Sequence, residues 1–155
     1  GPIMLQLLAA VEILEPYGVR SEIYSATSYG ELRREGLECE RNNRLNPSDS
    51  RQIPYVEELL GDGTNPTIAV SDNQIAVPDM IRQWVGGDYT ILGTDGFGRS
   101  DTRPNLRKFF EIDSQSITLA ALSSLVRSGT IKIGVYDKAV KDLGVSKDRE
   151  DITAL

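Results

Sequence analysis

The chain has 155 residues, 39% hydrophobic and 26% charged, enough for one folded domain with a core, and its formal net charge of −6 is the wrong sign for a nucleic-acid phosphate backbone. It contains no histidine, which removes the commonest general base near neutral pH, the Ser-His-Asp and Cys-His arrangements, and zinc's usual nitrogen ligands. The single cysteine, Cys39, precludes an internal disulfide and fits a reducing cytoplasm. No apolar run approaches the ~20 residues that span a bilayer, and Gly1-Pro2-Ile3-Met4 lacks a signal peptide's basic flank.

Met4, Leu7, Leu8, Val11 and Leu14 recur at helical spacing, and Pro16 and Gly18 end that helix. Residues 19–26 alternate in character, with β-branched and aromatic content, and predict a strand. Thr27 or Ser28 with Glu31 predicts a capping box for a helix through Leu32, Leu37 and Cys39. Residues 42–54 are polar and predict an ordered surface loop. Pro54 opens a short helix with Val56, Leu59 and Leu60, closed by Gly61-Asp62-Gly63. Residues 67–70 predict a short strand. Pro78 sits in the first turn of a helix carrying Ile81, Trp84 and Val85, which Gly86-Gly87 stops. Residues 89–92 predict another strand. A glycine-rich turn then leads into a helix capped by Asp101 or Thr102, with Pro104 in its first turn. Residues 117–126 are apolar on most faces and predict a buried helix ended by Gly129. Val135, Ala139, Val140 and Leu143 mark a last amphipathic helix.

Strands alternating with helices predict βαβ units, a largely parallel sheet between helical layers, and one α/β domain over residues 1–146 with a charged tail at 147–155. The chain opens on a helix where such domains usually open on a strand, so the sheet is expected to lack its first strand and to leave an edge free.

The stretch 93–101, Gly-Thr-Asp-Gly-Phe-Gly-Arg-Ser-Asp, is the sharpest candidate site. A glycine-rich strand-to-helix turn can offer backbone N–H groups to an anion, but its spacing is neither the phosphate-loop nor the dinucleotide fingerprint. Asp95 and Asp101 oppose a phosphate, and a tight turn is the plainer reading. Asp95, Phe97, Arg99, Asp101 and Arg103 are the candidates for facing a partner or an active site. Cys39, between Glu38 and Glu40, reads as an inert helix residue because neighbouring carboxylates raise a thiol pKa. Arg33-Arg34 and the arginines at 41 and 44 read as a charged helix face. Trp84 reads as core. Asp72, at a strand end, reads as a turn cap. No catalytic residue is assigned, and no cofactor or metal is expected on this chain alone.

The segments 25–36, 54–56, 81–85, 92–103 and 106–113, in that order, closely resemble the C-terminal end of the homodimeric, bacterial-type pyruvate dehydrogenase decarboxylating component. The resemblance covers essentially the whole chain, and the Thr94-Asp95-Gly96-Phe97-Gly98 segment is characteristic of that family. It implies a transketolase-type C-terminal domain, a three-layer α/β/α fold with a mixed, mostly parallel sheet. It also implies a role in supporting the dimer and walling the active-site approach of a thiamine-diphosphate- and magnesium-dependent 2-oxo acid dehydrogenase. The upstream thiamine-diphosphate-binding domains or subunits, and the dihydrolipoyl acyltransferase, are its implied partners; nucleic acid and membrane are not. Asn42-Asn43-Arg44-Leu45-Asn46-Pro47 departs from the aromatic and histidine-proline pattern usual there, and Asp72-Asn73-Gln74 from the usual aromatic or apolar residue. These departures keep open a stand-alone subunit of a split enzyme using another 2-oxo acid or ketose donor, or a partner- or anion-binding module.

Overall fold

A computed structural model describes residues 2–95, 105–106, 108 and 110–148. Helix α1 (Pro2–Leu14) runs into a 3-10 turn (Glu15–Tyr17) and stops at Gly18, whose φ of 81° is the left-handed conformation glycine tolerates. Helix α2 (Tyr29–Leu45) starts at Ser28, whose hydroxyl accepts the Glu31 N–H at 3.1 Å. Only half of the expected capping box forms, because the Glu31 carboxylate turns forward to Arg34 instead. Helix α3 (Tyr55–Leu60) follows Pro54 and ends at Gly61. Strands β1 (Thr67–Val70) and β2 (Tyr89–Leu92) pair in parallel, Thr67 opposite Tyr89 and Val70 opposite Leu92. Between them lie α4 (Ala76–Asp79) and a 3-10 turn (Arg82–Trp84). Helices α5 (Ser114–Arg127) and α6 (Ile133–Leu143) complete the described elements. Asp113 caps α5 by accepting the Ser116 N–H, and Gly129 and Gly144 take the left-handed conformation after the two helices.

Two clusters form the core. Ala69, Tyr89 and Ile91, from one face of the strand pair, join Val56, Ile81 and Trp84, with Tyr29 and Leu32 of α2 packed against them. Leu14, Leu119, Leu122 and Ala139 join α1, α5 and α6 in the second cluster. Helix α5 also packs on β1, which links the two. The α/β reading therefore holds, with helices packed around a small parallel sheet.

Three expectations are corrected. Residues 19–26 are not a strand: no described strand lies beside them to complete a ladder, and residues 20–28 are all exposed. Tyr24 still donates to Glu22 at 2.9 Å, the same-side neighbour two residues back that an alternating chain provides. The described sheet has two strands, both parallel, where three strands were expected. The helix expected from Pro78 to Val85 is two separate turns. Met80 and Ile81 break it, with Ile81 at φ −104°, ψ 3°. The buried Tyr89 hydroxyl takes the Pro78 carbonyl at 2.8 Å, so tertiary bonding replaces helical continuity there.

Trp84 is 3% exposed and buried as expected. It lies flat against α2 because Gly36 has no side chain: a Cβ there would stand 2.5 Å from Trp84 Cζ2. The indole N–H donates to Glu40 at 3.3 Å. The loop expected over 42–54 begins only at residue 46, because α2 continues to Leu45; it is ordered, since Asn43 and the Gln52 backbone exchange two hydrogen bonds at 2.8 and 3.0 Å. Most of the charged tail, residues 149–155, lies outside the described residues.

Candidate functional site

Two parallel strands end on the same edge of a sheet, so the segments that follow them emerge side by side. Here they are β1's continuation, residues 71–75, and β2's, residues 93–95. Ser71 N–H donates to the Leu92 carbonyl at 3.0 Å, extending the ladder one step. The Thr94 hydroxyl donates to the Asp72 carbonyl at 2.7 Å, and its N–H to the Asn73 carbonyl at 3.0 Å. Asp95 Oδ1 accepts the Ile75 N–H at 2.7 Å, just ahead of α4. Ser71 Oγ accepts the Asn73 N–H at 3.0 Å. Gly93 permits this closeness, since a Cβ would lie 2.8 Å from the Asn73 carbonyl oxygen. The two segments are thus clasped by side-chain-to-backbone bonds.

Of the sequence-predicted site residues, Asp95 is placed at this clasp, with one carboxylate oxygen turned inward. Phe97, Arg99, Asp101 and Arg103 lie outside the described residues, as do the proposed caps Asp101 and Thr102. Asn105, Leu106 and Lys108 are helical, so a helix does follow the turn. Asp72 meets the clasp through its backbone carbonyl. Sequence reasoning missed Thr94 and Ser71. Their signal was a hydroxyl residue within two positions of each strand's end, where side chains commonly bond nearby backbone.

Cys39 is buried, and its thiol is pushed up to about 11 by desolvation first, then by the Glu35 hydrogen bond and the carboxylates of Glu35, Glu38 and Glu40. It is a protonated core thiol at neutral pH. Glu35 also accepts the Tyr55 N–H at 3.1 Å, so one carboxylate joins α2 to the first turn of α3. Tyr89's phenol is pushed far up, chiefly by burial. Among the described residues, no group of three or more His, Cys, Asp or Glu is placed to hold a metal ion. No described helix is long and apolar enough to cross a membrane.

The chain matches the family described as the transketolase-like TK C-terminal domain over residues 1–113. It is 43% identical over 151 residues to the pyruvate dehydrogenase E1 component of Haemophilus influenzae, covering 96% of this chain and 17% of that protein. It is 47% identical over 135 residues to that of Corynebacterium glutamicum, covering 86% and 15%. With the Escherichia coli protein it shares 40% over 151 residues, covering 96% and 17%. The chain spans about a sixth of the length of the curated relatives it matches. With its parallel strand pair and flanking helices, the chain belongs to the transketolase-like C-terminal domain family.

Proposed function

We propose that this chain is the non-catalytic C-terminal domain of a thiamine-diphosphate-dependent 2-oxo acid dehydrogenase acting on pyruvate, where it supports the homodimer and forms part of the active-site approach. The likeness of nearly the whole chain to pyruvate dehydrogenase E1 components carries the reading. The cofactor supplies a carbanion-stabilising centre when bound elsewhere in the enzyme. The described residues do not fit it themselves. They bring no acidic cluster together for magnesium, and Asp95 Oδ1 is occupied by the Ile75 N–H. The domain's part is assembly and access, not bond-making. The turn at 93–103 faces the rest of the enzyme, with Phe97 as apolar contact and Arg99, Asp101 and Arg103 forming ion pairs across that surface.

A hybrid tests this. The matching segment of the Escherichia coli pyruvate dehydrogenase E1 component is replaced by this chain, and dimer mass and pyruvate decarboxylation are measured. The hybrid is expected to be dimeric and active. Phe97→Ala or Arg103→Ala in it should impair turnover or dimer stability more than either change impairs folding of the isolated chain. A folded, dimeric hybrid without activity, or decarboxylation by the isolated chain, would refute the reading.

A further inference from the structure

The arginines of α2 and its loop sort into two kinds. Arg34 lies between Glu31 and Glu38 at 3.0 and 3.2 Å, and Arg51 between Glu57 and Glu40 at 2.6 and 3.8 Å. Arg33, Arg41 and Arg44 are exposed and make no side-chain ion pair, hydrogen bond or ring contact among the described residues. At about 100° per residue, Arg33, Arg44, Leu37 and Arg41 fall within roughly 80° of arc and extend about 16 Å along the helix. Leu37, 40% exposed, sits one turn from Arg33 and one turn from Arg41. Facing the Arg33–Leu37 end of this stripe is the wall made by α4 and the 3-10 turn. The cleft between them measures about 410 Å³ and is lined by Arg33, Leu37, Asp79, Met80, Arg82 and Gln83. Met80 is 41% exposed there. Arg82 is answered by Asp79 and lies over the Tyr89 ring, so the uncompensated positive charge belongs to α2. A chain with a net charge of −6 thus lines up three unanswered guanidiniums along one stripe of α2 with Leu37, and the cleft at its Arg33 end adds the exposed Met80.

We propose that this stripe and cleft dock an acidic amphipathic helix of another polypeptide. Its carboxylates pair with Arg33, Arg41 and Arg44 in the forked geometry guanidinium favours. Its apolar side chains enter between Leu37 and Met80, the helix-in-groove mode of recognition. Charge complementarity selects this partner. A nucleic acid would gain nothing from Leu37 and Met80, and its phosphates would be repelled by the acidic remainder of the chain.

Fluorescence anisotropy tests it, with the 155-residue chain and a fluorescein-labelled helical peptide carrying glutamates at i, i+4, i+8 and i+11 around a leucine stripe. Saturable binding is expected, weakening several-fold between about 50 and about 300 mM NaCl as the exposed charges are screened. Arg33→Glu/Arg41→Glu/Arg44→Glu should weaken it by tenfold or more, and Leu37→Gln by about fivefold, since guanidinium pairs and apolar anchors dominate such contacts. Both variants should keep the parent's circular dichroism and unfolding midpoint. If the triple variant does not fold, Arg33→Gln and Arg44→Gln, each read alone, should each weaken binding. Absence of saturable binding, unchanged binding by the folded variants, or tighter binding of a duplex DNA than of the peptide would each overturn the proposal. Salt-sensitive self-association abolished by the triple variant would overturn it in favour of a second copy as occupant.

Discussion

Replacing Gly36 with alanine tests the packing that joins α2 to the sheet. In an exposed helix interior this change stabilises by roughly 1 kcal/mol, because alanine restricts the unfolded chain and favours the helix. At Gly36 the added methyl would stand 2.5, 2.6 and 2.8 Å from Trp84 Cζ2, Cη2 and Cε2. Carbon atoms rest at about 3.5–4.0 Å, so the indole or the helix must give by about 1 Å. Trp84 belongs to the buried cluster of Val56, Ala69, Ile81, Tyr89 and Ile91, and overpacking of such a core costs about 1–3 kcal/mol. The two effects oppose, and the steric one wins: Gly36→Ala should destabilise by up to about 2 kcal/mol. Gly30, in the same helix, supplies the control. Its Cβ would meet only Ser28 Oγ at 3.8 Å, so Gly30→Ala should be neutral or stabilising by up to about 1 kcal/mol. Urea unfolding followed by tryptophan fluorescence reads both, since Trp84 is the chain's only tryptophan. A Gly36→Ala protein at least as stable as the parent, with unshifted emission, would refute the reasoning.

Asp95→Ala removes a carboxylate acceptor from a backbone N–H and should cost about 1.5–3 kcal/mol, and Thr94→Val about 1 kcal/mol, by the same urea assay. The Cys39 thiol, raised from 9.0 to about 11, exposes about a hundredfold less thiolate at pH 8 than an ordinary cysteine, so iodoacetamide should alkylate the folded chain that much more slowly than the urea-unfolded one. Because that pKa is raised on folding, its contribution to stability is complete below pH 9 and is lost as pH rises towards 11. Glu57, held below the usual carboxylate range chiefly by its hydrogen bond to Arg51, has the opposite sign. Its contribution is present at neutral pH and lost as pH falls through the lowered value. Arg51→Ala should therefore lower the urea midpoint at pH 7 and leave it nearly unchanged at a pH low enough to protonate Glu57.

Much of the fold is written locally. Ser28 announces a helix start, and Gly18 and Gly129 announce ends, because caps and left-handed turns are satisfied by residues within one turn. What was not legible depends on distant partners. Residues 19–26 carry the alternation of a strand, but a strand exists only through its neighbour, and the alternation does not supply one. The break at Met80 and Ile81 goes with a tyrosine eleven residues beyond Pro78, whose hydroxyl donates to the Pro78 carbonyl. Gly36 reads as a weak spot in a helix until the indole 48 positions later is seen to occupy the place of its side chain. The candidate site divides the same way. The turn after β2 is visible as glycine beside polar residues, whereas the use of Asp95 to hold the Ile75 N–H depends on two strands running side by side.

That bond has a consequence reaching beyond the turn. Asp95 holds the backbone just ahead of α4, whose last residue, Asp79, lines the cleft beside α2 together with Met80 and Arg82. Asp79 in turn fixes Arg82, which donates to the Tyr89 carbonyl at 3.0 Å at the start of β2. The path closes on itself: β2 leads to the clasp, the clasp to α4, and α4 through Arg82 back to β2. A ring of this kind resists local displacement, because moving any member strains bonds at both ends. It also means that Asp95 and the wall of the cleft share one support, so a change in the 71–75 turn acts on both together.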